Sequence, residues 1–206
     1  MAVTSLQAAL DVLDRADALL ALDAEPTPDL TREDTRRLAW AMASASIDTF
    51  LHWRVHRSVP KAGQLPKKLN NLEVKFGDLV KMGRDDIRAR RNGVANKPIV
   101  TAKNVLHERI LRDTYQTSSG VQNALQMCGV EDCWGKLAIE LGESKRDIID
   151  HLDRLARRRN SIVHEGDIQR QSRPRNVRRQ PLSRAGIDSE LAWVRSFVQA
   201  LSRIVP

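Results

Sequence analysis

The stretch SKRDIIDHLDRLARRRNSIVHEG, residues 144–166, reads as one amphipathic helix with its own start and stop. Ser144 is a preferred N-cap, with Asp147 at the third helical position. Gly166 offers a C-terminal stop because it tolerates a left-handed backbone. At about 100° per residue, Ile148, Ile149, Leu152, Leu155, Ile162 and Val163 share one face. Arg159 falls near the middle of that stripe, where a permanent charge is costly unless it is paired or opens onto a cavity or interface. Asn160 and His164 lie one turn apart on the flank of the stripe.

The rest of the chain repeats this helical rhythm. Thr4 can cap a helix to about residue 24, with Leu6, Leu10, Leu13, Ala16, Leu19 and Leu20 on one face. Pro26 and Pro28 break it, and Thr31 opens a long helix to about Arg57. Shorter helices are expected at about 67–81, 84–91, 101–114, 118–127 and 131–141, punctuated by Gly83, Gly93, Pro98, Gly120 and Gly129. Asp188 caps a last helix with a stripe of Leu191, Val194, Val198, Leu201 and Ile204. No β alternation and no tandem repeat stands out. The expected fold is all-α, with an N-terminal helix and proline break at 1–28 and a helical domain at 29–206.

Composition narrows the function classes. The 206 residues are 41% hydrophobic but only 4% aromatic, which suits a globular core of packed aliphatic helices. The formal net charge of +8 points to a polyanionic partner: nucleic acid, an anionic membrane surface or an acidic protein. An Arg-biased soluble protein with no such partner is the plainer reading of the same number. No apolar run approaches the roughly 18 residues of a membrane helix, so no membrane association is expected and a cytoplasmic location is. Cys128 and Cys133 have no zinc-ligand spacing and no neighbouring His, and read as a reduced, metal-free pair.

Three features carry possible chemistry. Arg159 and His164, separated by four residues near a helix end, can converge on one small anion. Arg supplies a planar donor for phosphate, and His a proton donor or acceptor near neutral pH. The same residues also fit a snorkelling Arg and a His that complements the helix dipole. Arg54 likewise falls near the apolar stripe of its own helix. The same spacing recurs at Arg146 and His151, off the apolar stripe, where a solvated face is expected. Second, Asp48, His52 and His56 share a helix face at four-residue spacing. They suit a divalent ion, or a polar flank facing solvent or a catalytic groove. Third, residues 170–184 hold six arginines (Arg170, Arg173, Arg175, Arg178, Arg179 and Arg184) and no acid. That segment suits a nucleic-acid backbone, a solvated loop or a dock for an acidic partner.

The run from Arg158 to Asp167 resembles the signature of HEPN domains, in particular the group named for ribonuclease LS and related stress proteins (RiboL-PSP). In that signature an Arg is followed by a polar residue, here Asn160, then three variable residues and a His. The helix before it, from Trp134 to Gly142, and the long helix containing Asp48 and His52 fit the same order. The likeness covers about residues 31–204, most strongly 144–167.

The resemblance implies an all-α bundle that pairs with a second copy through the motif helix, forming one composite site. It implies a metal-independent endoribonuclease with no cofactor, acting as a toxin or phage-defence effector. Arg159, Asn160 and His164 would be its catalytic set, with Arg157, Arg158, Arg173, Arg175, Arg178 and Arg179 binding RNA and Asp48 and His52 flanking the groove. The alternative is an inactive HEPN module that binds a nucleotide, a nucleotidyltransferase or an antitoxin. A helical DNA-binding regulator is a further class, but no helix–turn–helix signature is present.

Overall fold

Side-chain caps set several helix starts of the computed structural model, each through a hydrogen bond. The Thr4 hydroxyl accepts from the Gln7 amide at 3.0 Å while the Gln7 side chain accepts from the Thr4 amide at 2.9 Å. Thr117, Ser144 and Ser183 cap later helices in the same way, through the amides of Gly120, Asp147 and Gly186. The structure describes residues 2–24, 26–59, 63–93, 98–170, 172 and 176–206, without the side chains of 98 and 99.

Among those residues the protein is all-α. The helices are α1 (Ser5–Leu20), α2 (Asp29–Arg57), α3 (Lys67–Asn70), α4 (Phe76–Arg91), α5 (Pro98–Ile110), α6 (Ser118–Met127), α7 (Cys133–Leu141), α8 (Lys145–Glu165) and α9 (Arg184–Ile204). One isolated antiparallel bridge, Ile168 with Arg179, is the single β feature there. No helix among them is long and apolar enough to cross a membrane.

Several boundaries differ from the sequence reading. Helix α2 begins at Asp29, directly after Pro28, so Thr31 lies inside it rather than capping it. Helix α4 runs through Gly83, because an exposed helical glycine costs only about 1 kcal/mol, too little to end a helix. The break falls earlier, after Asn70 and Asn71, whose side chains compete with helical hydrogen bonding. Helix α5 spans Pro98–Ile110, four residues short of its expected end. Ser183, not Asp188, caps α9; Asp188 instead accepts from Arg184 Nε at 3.0 Å.

Helix α2 is the spine. It buries Ala39, Ala43, Ile47, Phe50, Leu51 and Val55 against α1, α9, α8 and α6. Helix α9 contributes Ile187, Leu191, Val194, Phe197, Val198 and Leu201 to the same core. Helix α1 is no appendage: Ala9, Leu13, Ala16 and Leu20 are buried in that core too. Ion pairs fasten its edges, with Arg195 Nη2 at 3.0 Å from Asp14 and 2.8 Å from Asp17. Asp23 takes a forked pair from Arg36 at 2.7 and 2.8 Å. That hydrogen bonding holds the Asp23 carboxyl below its ordinary pKa.

Because Leu13 is fully buried, Leu13→Ala is expected to destabilise the whole protein by about 2–5 kcal/mol in urea unfolding. A loss below about 0.5 kcal/mol would mean that α1 stands apart from the core.

Candidate functional site

Helix α8 is buried along one face as far as Ala156 and more open beyond it. Ile148, Leu152, Leu155 and Ala156 are buried, whereas Ile162 is half-buried and Val163 is 48% exposed. Trp40 on α2 marks the crossing, its indole Nε1 donating to the Leu155 carbonyl at 3.2 Å. Past Ala156 the apolar stripe is only partly covered. Arg159 therefore sits half-buried at the margin of the core, and its guanidinium avoids most of the desolvation that a mid-stripe position implies.

At this margin the three motif side chains converge. Arg159 Nη1 donates to Asn160 Oδ1 at 3.0 Å and lies 3.4 Å from His164 Nε2. Arginine has no acceptor, so this contact requires the lone pair on Nε2 and the proton on Nδ1. His164 thus sets an imidazole nitrogen within 3.4 Å of a guanidinium, on open surface. None of five surface clefts in the described structure is lined by Arg159, Asn160 or His164.

The end of α8 is fixed by a two-residue turn. Gly166 and Asp167 both adopt the left-handed region, with φ of 62° and 59°, and the Asp167 amide donates to the Ser161 carbonyl at 2.8 Å. This turn drives the Asp167 side chain inward, where it is fully buried. Its Oδ2 accepts from Arg158 Nη2 at 2.8 Å and from Arg37 Nε, on α2, at 3.1 Å. Arg158 also donates to the Gln180 side chain and to the carbonyls of Gln180 and Pro181. Burial and then the nearby Arg37 cation pull the Arg158 guanidinium below its ordinary pKa, against the pull of Asp167.

The arginine-rich segment is in part an ordered return strap. Gln180 N donates to the Asp167 carbonyl at 2.9 Å, and Gln169 N to the Arg178 carbonyl at 2.8 Å. Arg179 Nε donates to the Gly166 carbonyl at 3.1 Å, which satisfies an orphan acceptor at the helix end.

The predicted RNA-binding arginines therefore divide. Arg157 and Arg178 are exposed, and Arg179 is exposed but engaged at the helix end. Arg158 is a correction: its guanidinium faces inward and braces the fold. Arg170 pairs with Glu165 at 2.6 Å. Arg173 and Arg175 lie outside the described residues.

Two further expectations are corrected. Asp48 and His52 do not flank the motif. They line a different cleft with Thr49, Trp53, His56 and Arg57 of α2 and residues of α5, and no residue of α8 contributes to it. Asp48 Oδ1 is occupied as an acceptor for the Tyr115 amide at 2.6 Å. Among the described residues no group of three or more His, Cys, Asp or Glu converges as a metal site. The second Arg–His spacing does not make a solvated pair either. Arg146 is exposed, but His151 stacks on Trp193 at 3.8 Å and lies 2.8 Å from Glu190 Oε1. Cys128 and Cys133 are both free and buried.

The sequence reading missed the Arg37–Asp167 brace and the α5 side of the second cleft. Neither leaves a local signal, because the partners are 130 residues apart in the first case and come from separate helices in the second. No protein-family model matches the chain, and no curated protein or solved structure matches it either.

Removing the brace should be costly, because Asp167→Ala leaves two inward-facing guanidinium groups without their shared anion. The expected loss is about 3–5 kcal/mol in urea unfolding. A loss under about 1 kcal/mol would show that the return strap and Arg37 do not hold the end of α8.

Proposed function

We propose that this chain is a HEPN-type, metal-independent endoribonuclease that works as a homodimer through the exposed end of α8. The observation that carries the reading is the convergence of Arg159, Asn160 and His164 on one open surface. In this reading the RNA 2′-hydroxyl attacks the adjacent phosphorus and the P–O5′ bond breaks, leaving a 2′,3′-cyclic phosphate and a 5′-hydroxyl. Arg159 turns from His164 Nε2 to the phosphate when RNA binds, and the freed Nε2 takes the 2′-hydroxyl proton. The leaving 5′-oxygen gains a proton from His164 of the second copy or from the same ring after it has been charged. Arg159 stabilises charge on the non-bridging oxygens, and Asn160 orients the guanidinium it already accepts from.

The open surface supports the dimeric part of the reading. A phosphodiester needs donors on more than one side, and one copy supplies a single wall. The apolar stripe is only partly covered past Ala156, with Val163 at 48% exposure, and is a surface that a second copy can cover. Exposed Arg157 and Arg178 suit the flanking RNA backbone. A toxin or phage-defence role belongs to the same proposal, as does regulation by an acidic antitoxin or a nucleotidyltransferase. The inactive-module alternative has no separate observation in its favour, since the motif set is intact.

The test is purified protein with labelled RNA and DNA in excess chelator. RNA is expected to be cut and DNA spared, because DNA lacks the 2′-hydroxyl. His164→Ala should lower the rate about 10²–10⁴-fold. Arg159→Lys should also fail, because a single ammonium cannot reproduce the fork. Equal cleavage by His164→Ala and the native chain would overturn the mechanism.

A further inference from the structure

Helix α4 buries none of its residues, and among the described helices it touches only α5. Its half-buried positions, Asp78, Met82, Asp86 and Ala89, recur every three or four residues and mark the side turned to α5. There Asp86 Oδ1 accepts from Thr101 Oγ1 at 3.3 Å. The side turned away is apolar. At about 100° per residue, Phe76, Val80 and Ile87 fall within about 40° of one another, with Leu79 beside them. Phe76 is 79% exposed and Ile87 55% exposed, and Leu79 and Val80 are open to solvent as well. With a rise of about 1.5 Å per residue, the stripe runs for about 16 Å. An apolar ridge of this kind on a surface helix marks an interaction site.

A bank of cations adjoins the stripe. Lys81, Arg84, Arg88 and Arg91 line one groove with Val80 and Ile87, against a single acid, Asp85. All four cations are exposed, and none of their side chains has a hydrogen bond or ion pair among the described residues. Other exposed arginines do find carboxylates, as Arg15 does with Asp11 and Arg184 with Asp188. The class of partner follows from the two features together. A second copy would set this bank of charge beside its twin. A nucleic-acid backbone answers the cations but leaves Leu79, Val80 and Ile87 in water. An acidic protein serves only if it brings a groove matched to a convex ridge. A fluid anionic lipid surface conforms to the ridge and answers both features, with headgroup charge for the cations and an acyl boundary for the stripe.

We infer that α4 lies on an anionic lipid surface, setting Phe76, Leu79, Val80 and Ile87 into the headgroup boundary while Lys81, Arg84, Arg88 and Arg91 meet its charge. The sequence expectation of no membrane association rested on the lack of a spanning run, and a helix that lies in the interface needs none. Helix α4 makes no contact with α8, so this surface does not rest on the ribonuclease reading.

Flotation of the full chain with phosphatidylcholine vesicles, with and without phosphatidylserine, tests the assignment. Binding to the phosphatidylserine vesicles should be at least about tenfold stronger than to phosphatidylcholine alone, and should fall as salt is raised. Arg84→Gln with Arg88→Gln should weaken it at least about tenfold, and so should Phe76→Ser with Ile87→Ser. All four side chains are exposed, so the circular dichroism of both double variants should match the native chain. Phe76→Trp should add blue-shifted emission on the anionic vesicles, which charge attraction without insertion does not produce. His164→Ala should bind vesicles as the native chain does. No binding to anionic vesicles, equal binding to phosphatidylcholine alone, or undiminished binding by either double variant would overturn the proposal. Oligouridylate or polyglutamate binding that depends on Phe76 and Ile87, with vesicle binding untouched, would assign the stripe to a nucleic acid or an acidic protein and overturn it equally.

Discussion

One buried carboxylate governs the arrangement. Asp167 sits with no solvent exposure between Arg37 of α2 and Arg158 of α8, just after the turn that ends α8. A carboxylate in such a place is unfavourable alone and tolerated only when paired, so the three groups come as a set. Their pairing decides where α8 stops and which way its last turn points. It also draws Gln180 and the arginine strap back across the helix end. The direction in which α8 carries Arg159, Asn160 and His164 follows from that anchor, which none of the three touches.

The same anchor separates arginines that look alike in sequence. Three stand in a row at 157–159, and successive helical positions turn by about 100°. Arg158 therefore faces the brace, Arg159 lies along the margin of the core, and Arg157 points to solvent. A basic run on a helix is three different environments, and only burial and partners tell structural charge from charge offered to a ligand.

What the sequence made legible was periodic or local. The α8 stripe, the Ser144 cap and the Gly166 stop were readable because each lies within a few residues of its partner. The proximity of Arg159 to His164 is also a local consequence of helical spacing. The burial pattern beyond Leu155 was not readable, because it depends on where α2 crosses α8 and not on hydrophobicity. Ile162 and Val163 have the side chains of a core and the surroundings of a surface. His151 shows the reverse: its spacing suggests a wet face, yet Trp193 and Glu190, from another helix, enclose it. Asp48 and His52 look like neighbours of the motif because sequence order gives no depth along α2.

The pairing of α1 with α9 has a consequence for synthesis. Helix α1 lies against α9, and Arg184 Nη1 donates to the Leu20 carbonyl across 164 residues. Gln180, which completes the brace, also comes late in the chain. A growing polypeptide still inside the ribosome has made α8 but not the segment that fixes its end. Translation therefore delivers the arginine–histidine surface before Gln180, and the contacts of the strap and of α9 form only after α8 has been made.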